Sequence, residues 1–193
     1  GMDSIAITDH GAMYGAVEFY KAAKEQGIKP IIGCEVYVAP GSRFTKEAGE
    51  SEDRYYHLVL LAENNKGYSN LSKIVSKGFV DGFYYKPRVD IEALREHSEG
   101  IICLSACLAG DVSNALMNRN YEKAKEIALT YNEIFGQGNF YLELQDHNLP
   151  EQKEVNAGLV KLSNKSFILS LTLSSNDLLD NIVKTSVLLS PPL

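Results

Sequence analysis

Apolar and polar residues alternate along the chain in two rhythms, short continuous apolar runs and longer amphipathic stretches. Residues 4–8, Ser4-Ile5-Ala6-Ile7-Thr8, read as a buried strand that ends abruptly in Asp9-His10-Gly11. Met13, Ala16, Val17, Tyr20 and Ala23 then recur at steps of three and four, which predicts a helix over 12–26 with Gly27 as its stop. "KPIIGCEVYVAP" (29–40) reads as a second strand with Glu35 inside it, and the polar residues 41–54 read as a mobile surface loop. "YYHLVLLAEN" (55–64) reads as a third strand, with His57 near its start. Residues 66–80 read as a helix, 82–90 as a loop or short extended piece, and 91–98 as a helix. Residues 100–112 open as a strand, 113–135 read as helical, 139–148 as a strand ending in polar residues, and 150–165 as a helix. Strand followed by helix, repeated, is the pattern of a parallel α/β fold.

The polar groups refine that pattern. Asp9-His10, Glu35, Cys107 and Gln145-Asp146-His147 all fall late in strands or just after them. In a (β/α) barrel, catalytic groups come from the C-terminal ends of several strands and meet at one mouth. His57 is the exception, because it lies early in its own strand.

Composition narrows the class. The chain has 193 residues, 45% of them hydrophobic, enough for a sizeable core. The formal net charge of −6 argues against a broad basic face for nucleic acid. It fits a metal-binding or small-substrate protein, or one domain of a larger machine whose DNA contacts lie elsewhere. Cys34, Cys103 and Cys107 form no even disulfide framework, which points to a reducing, cytoplasmic setting. No apolar run reaches the ~18 residues of a membrane span.

His, Glu and Cys are good ligands for zinc or a similar ion, although no close pair such as CxxC or HxxxH is present. Glu35 stands among Ile31, Ile32, Val36 and Val38, and a carboxylate in an apolar strand needs a partner or a metal. Asp9-His10 before glycine is the best single site. Asp9 is read either as an acceptor that orients the imidazole or as a cap on the following helix. A lone His57 is more often a hydrogen-bonded core histidine, and Cys107 a small buried residue. Lys86 and Arg88, in a proline-stiffened segment, could hold a phosphate or simply be solvated. His97 reads as a surface residue at a helix end, and His147 precedes a helix that opens with Pro150.

Five segments, taken together, closely resemble one family: "GMDSIAITDHGAMYGAVEFYKAAKEQGIKPIIGCEVYVAP", "YYHLVLLAENNKGYSNLSKIVS", "GFYYKPRVD", "IICLSACLAGDV" and "NFYLELQDHNLPEQ". It is the PHP (polymerase and histidinol phosphatase) family, in the form found at the N-terminus of the bacterial replicative polymerase III alpha subunit. The resemblance covers roughly residues 1–165. It implies an α/β fold, a distorted (β/α)7 TIM-like barrel, incomplete in this chain. It also implies a metal site at the C-terminal mouth, often for zinc or manganese. His10 of "TDHG", Glu35 of "GCE" and His57 of "YHLVLLA" match metal-ligand positions, and Cys107 of "LSAC" matches a position that is histidine in related phosphatases.

Two departures shape the expectations. The family's opening strand with its His-x-His motif is not in this chain. After about residue 165 the text changes character: half of residues 166–193 are Leu or Ser, and Leu179 stands where a histidine is expected after "SND". The reading is therefore a PHP domain over 1–165 followed by a divergent tail over 166–193. Its parent function is DNA-directed DNA synthesis. Its expected partners are the remaining domains of the alpha subunit, the proofreading exonuclease subunit and, through the full-length protein, DNA. The alternative is a free-standing PHP phosphoesterase acting on a small phosphate ester or a DNA 3′ end. The missing His-x-His and the wording of "YYKPRVD" speak against it.

Overall fold

A computed structural model describes residues 2–46, 55–163 and 168–173. The chain divides into two compact units, residues 1–103 and 104–193.

The first unit is built around one long strand. β1 (Ser4–Ile7) leads to α1 (Ala16–Glu25) and β2 (Lys29–Val38). β3 (Tyr56–Ala62), α2 (Asn65–Val80), β4 (Phe83–Tyr84), β5 (Lys86–Val89), α3 (Ile91–Glu96) and β6 (Ile101–Leu104) follow. β1 runs parallel to the first half of β2, from Ser4↔Lys29 to Ile7↔Ile32. β5 runs parallel to its end, at Tyr37↔Arg88 and Val38↔Val89. β3 covers the other edge of β2, antiparallel, from Gly33↔Leu61 to Val38↔Tyr56. Cys34, Val36, Leu58, Leu60, Leu71, Ile74, Leu94 and Ile101 close the core, each 2% exposed or less. Each such aliphatic side chain contributes about 1.5–3 kcal/mol by leaving water.

The antiparallel β2–β3 pair departs from the parallel sheet that the sequence pattern predicts. A parallel pairing needs a crossover, usually a helix, whereas an antiparallel neighbour needs only a return of the chain. Among the described residues no helix separates β2 from β3. The connection is also less free than a mobile loop at its start. Arg43 is buried, and both its backbone N–H and its guanidinium donate to Asp90, at 2.9 and 2.8 Å. Residues 47–54 lie outside the described residues.

Three further differences have local causes. α1 begins at Ala16, not residue 12, because Gly11 takes a left-handed turn at φ +68°. Its buried side is made by Ala16 and Ala23, whereas Val17 and Tyr20 are 60% and 48% exposed. The segment 82–90 is a hairpin, with Phe83↔Pro87 and Tyr84↔Lys86 paired and Tyr85 turning at φ +60°. The helical stretch 113–135 is two helices, α4 (Asp111–Met117) and α5 (Tyr121–Phe135). Arg119 breaks them with φ +56°, and Asn120 caps α5 by accepting from the Lys123 N–H at 3.1 Å.

The second unit adds β7 (Phe140–Asp146), α6 (Pro150–Ser163) and β8 (Ile168–Leu173) to α4 and α5. Val112, Tyr131, Phe140, Leu142, Leu159 and Leu162 are among its fully buried side chains. β8 pairs parallel with β7, from Tyr141↔Ile168 to Asp146↔Leu173. It therefore lies inside the stretch read as a divergent tail; the remainder of that stretch, including Leu179, is outside the described residues. Among the described residues no helix is long and apolar enough to cross a membrane.

Candidate metal centre

Backbone hydrogen bonds lock the Asp9-His10-Gly11 turn onto β2. The Glu35 N–H donates to the Asp9 carbonyl at 3.0 Å, and the Gly11 N–H donates to the Glu35 carbonyl at 2.8 Å. His10 and Glu35 thereby form an isolated parallel bridge beyond the end of β1. Gly11 is required twice over. Its φ is left-handed, and a Cβ there would lie 2.6 Å from Tyr37 Cε2 and 3.2 Å from Pro87 Cγ.

The antiparallel run of β3 explains how His57 reaches the same place from the start of its strand. Tyr37 faces His57 and Glu35 faces Val59 in the register, so Glu35 and His57 are diagonal neighbours on one face. Had β3 been parallel, its start would lie at the opposite end of β2.

Three donors converge as a result. His10 Nδ1 is 2.6 Å and His57 Nδ1 2.8 Å from the same atom, Glu35 Oε1. One potential ligand atom from each residue lies within 4.8 Å of the others. Oε1 is buried and, although close to both rings, meets hydrogen-bond geometry with neither. The Glu35 side chain is 13% exposed and that of His57 19%, whereas His10 is 69% exposed. The group is thus walled on two sides and open on the third. Burial pushes the Glu35 carboxyl up, but His57, and then His10, outweigh it and hold it below its ordinary value. A buried carboxylate oxygen shared by two imidazole nitrogens is a donor set that fits a divalent ion such as zinc or manganese.

Aromatic side chains support His57. Tyr55 stacks parallel to its ring with centroids 6.1 Å apart, and Tyr37 meets it edge-on at 5.4 Å. Behind the turn, the buried Cys34 thiol contacts the Asp9 carbonyl at 3.4 Å, and burial pushes its pKa up to about 12. It is an inert packing residue.

The other candidates are placed differently. The Asp9 carboxylate accepts from the Gly15 N–H at 3.3 Å, at the residue that precedes α1. Cys107 lies in the second unit and, among the described residues, is not part of the three-donor group. It follows Ala106, a left-handed residue at φ +61°, and lines a small cavity with Glu143, Gln145 and Gln152. Arg88 is buried, and its guanidinium donates to the carbonyls of Gly82 and Thr45 at 3.3 and 2.7 Å. Those bonds give it a structural task in place of phosphate contact. Lys86 is exposed, with Nζ 5.5 Å from the Tyr37 ring centroid. His97 is not a surface residue, since its side chain is 12% exposed at the end of α3. His147 Nδ1 is 2.8 Å from the Gln152 amide beside α6. Reading the sequence missed Tyr55 and Tyr37; their spacing about His57 signals a supporting role only once β2 and β3 are known to pair antiparallel.

The decisive comparison is with protein families: the PHP domain family matches residues 1–147. The chain belongs to the PHP domain family. This PHP domain is 48% identical over 163 residues to the DNA polymerase III subunit alpha of Treponema pallidum, covering 84% of the chain and 14% of that protein. It is 45% identical over 163 residues to the DNA polymerase III subunit alpha of Thermus aquaticus, covering 84% of the chain and 13% of that protein. The PHP domain therefore spans about one seventh of the length of these relatives. Among solved structures it is similar to a protein described as a metal-dependent phosphoesterase from Bifidobacterium adolescentis, with a TM-score of 0.52 and 14% identity over 89% of this chain and 76% of that one. At that identity the likeness shows the fold alone: mixed α/β, in keeping with an incomplete TIM-like barrel.

Proposed function

We propose that this PHP domain is part of a DNA polymerase III alpha subunit and holds one divalent ion, zinc or manganese, through His10, Glu35 and His57. The observation that carries the reading is the approach of both imidazole nitrogens to Glu35 Oε1. An ion held there supplies Lewis-acid stabilisation to a phosphoryl oxygen. Glu35 fixes the two imidazoles, Tyr55 and Tyr37 keep the His57 ring from turning, and the exposed side of His10 leaves an approach for a ligand. Cys107 is not needed for this reading. In the alpha subunit the domain packs against the remaining polymerase domains, serves the proofreading subunit as a scaffold and meets DNA through the full-length protein in the cytoplasm.

The chain itself is proposed not to synthesise DNA. The test is a primed-template assay with purified protein: no nucleotide incorporation is expected, and template-dependent extension would contradict the assignment. The openness of the site at His10 favours a second reading, a metal-dependent phosphoesterase. Hydrolysis of bis-p-nitrophenyl phosphate that requires manganese and is lost in Glu35→Gln would favour that activity over a scaffold role.

A further inference from the structure

We infer that the outer face of α2 is a docking surface for an acidic amphipathic helix of a partner protein. The inference stands apart from the metal centre and uses none of its residues. α2 is 16 residues long, and Asn70, Leu71, Ile74 and Gly78 bury its inner side. Asn70 also donates to the Glu99 carbonyl at 2.8 Å, which anchors the helix from behind. The outer side carries Ser69, Ser72, Lys73, Ser76, Phe79 and Val80, which recur at steps of three and four and so share one face.

That face ends in a large apolar cluster. Phe79 is 39% and Val80 81% exposed, and the half-exposed Phe83 ring lies 6.4 Å from that of Phe79 between centroids. Apolar side chains clustered in water mark an interaction surface, whereas single ones do not. Toward its other end the face borders an open groove of about 650 Å³ that runs from Tyr68 to Lys77, with His97 in its wall. The three serines keep this part of the face low, so a second helix can approach to the roughly 8–10 Å of ordinary helix packing.

The charges point to the occupant. Lys73 and Lys77 are the charged groups in the groove wall. Lys77 reaches Glu96, which is not part of that wall, at 3.1 Å, and among the described residues no carboxylate pairs with Lys73. Burial, and then Lys77, Lys73 and Lys66, lower the His97 pKa against the opposing Glu96, so the ring is neutral at pH 7. A phosphate is poorly served here. Ser72 Oγ donates to the Tyr68 carbonyl at 2.9 Å and Ser76 Oγ to the Ser72 carbonyl at 2.7 Å, so both hydroxyl hydrogens are engaged within α2. A helix with an apolar seam for Phe79 and Val80, and carboxylates beside it for Lys73 and Lys77, satisfies both parts of the face.

The test measures, by fluorescence anisotropy, binding of the full chain to two synthetic helical peptides of about 14 residues, roughly 21 Å long. Each carries leucine along one face; one is flanked by glutamates and the other by lysines. The glutamate peptide is expected to bind about 2- to 30-fold more tightly, as two exposed ion pairs allow, with the margin narrowing at high salt. Lys73→Glu should cancel that preference. Val80→Gln should weaken both peptides by about tenfold or more, while melting with the parent because Val80 is exposed. Equal affinity for the two peptides, binding of neither, or undiminished binding by Val80→Gln would overturn the inference. So would a dimer of the chain that Val80→Gln dissociates, or tighter binding of an oligothymidylate that Lys73→Glu abolishes; these would assign the face to a second copy or to nucleic acid.

Discussion

His10 and Glu35 meet twice. Their backbones form an isolated parallel bridge, and His10 Nδ1 lies 2.6 Å from Glu35 Oε1. The first contact sets the second, because the turn that carries the imidazole is hydrogen-bonded to the strand that carries the carboxylate. Gly11 makes that turn possible. Gly11→Ala is expected to cost about 1–3 kcal/mol of stability, from a strained φ and a collision with Tyr37. It should also loosen metal retention. Urea denaturation checks the first effect, and a variant as stable as the parent would contradict the account of the turn.

The Arg43–Asp90 pair anchors the chain after β2. Asp90 also accepts from the Ala93 N–H at 3.0 Å, capping α3. Asp90→Ala removes the nearest partner of the buried Arg43 and leaves it only the longer contacts to Asp81 and Glu92, at 3.5 and 3.4 Å, so a cost of up to about 3–5 kcal/mol is expected. Burial raises the Asp90 carboxyl, but the Arg43 and Ala93 N–H groups and the Arg43 guanidinium outweigh it and hold it below its ordinary value of 3.8. A lowered carboxyl contributes stability above 3.8 that is lost as pH falls further. Asp90→Asn should therefore flatten the acid limb of the stability profile below about pH 4; an unchanged limb would argue against the pair.

Asp111 predicts the opposite slope. Burial pushes it up to about 6, against the opposing hydrogen bonds from Tyr131 Oη at 2.6 Å and the Val112 N–H. A carboxyl raised in the folded state contributes most below its ordinary value of 3.8, and that contribution disappears as pH rises through about 6. The swing is up to about 3 kcal/mol. Asp111→Asn should remove it, so that the variant gains on the parent between pH 4 and pH 7. Parallel urea midpoints for the two proteins across that range would show the prediction to be wrong.

Residue types and order made much of this visible in the sequence. A carboxylate amid Ile31, Ile32, Val36 and Val38 demands a partner, and Asp9-His10-Gly11 at a strand tip is a place where polar groups leave a core. Sequence could not show which way β3 runs, because strand direction depends on pairing and not on periodicity. His57 therefore read as misplaced until the antiparallel register set it diagonal to Glu35. Arg88 and Lys86 looked equivalent on one short segment. They share a face of β5, but Lys86 stands next to the hairpin turn and is exposed, whereas Arg88 lies one step further in, where β5 pairs with β2, and is buried among carbonyls. Val17 and Tyr20 fit a helical stripe, but the residues that α1 buries are the small Ala16 and Ala23.

The central claim is the three-donor centre, and metal stoichiometry tests it most directly. The purified chain, loaded with zinc, desalted and analysed by elemental mass spectrometry, is expected to carry one ion that a mild chelator removes. Three protein ligands with one open side give moderate retention, since affinity follows ligand count and outer support. His10→Ala should abolish binding, Glu35→Gln should weaken it by about 10- to 100-fold or more, and His97→Ala should leave it unchanged. Stoichiometric zinc in His10→Ala, or two or more ions per parent chain, would contradict the account.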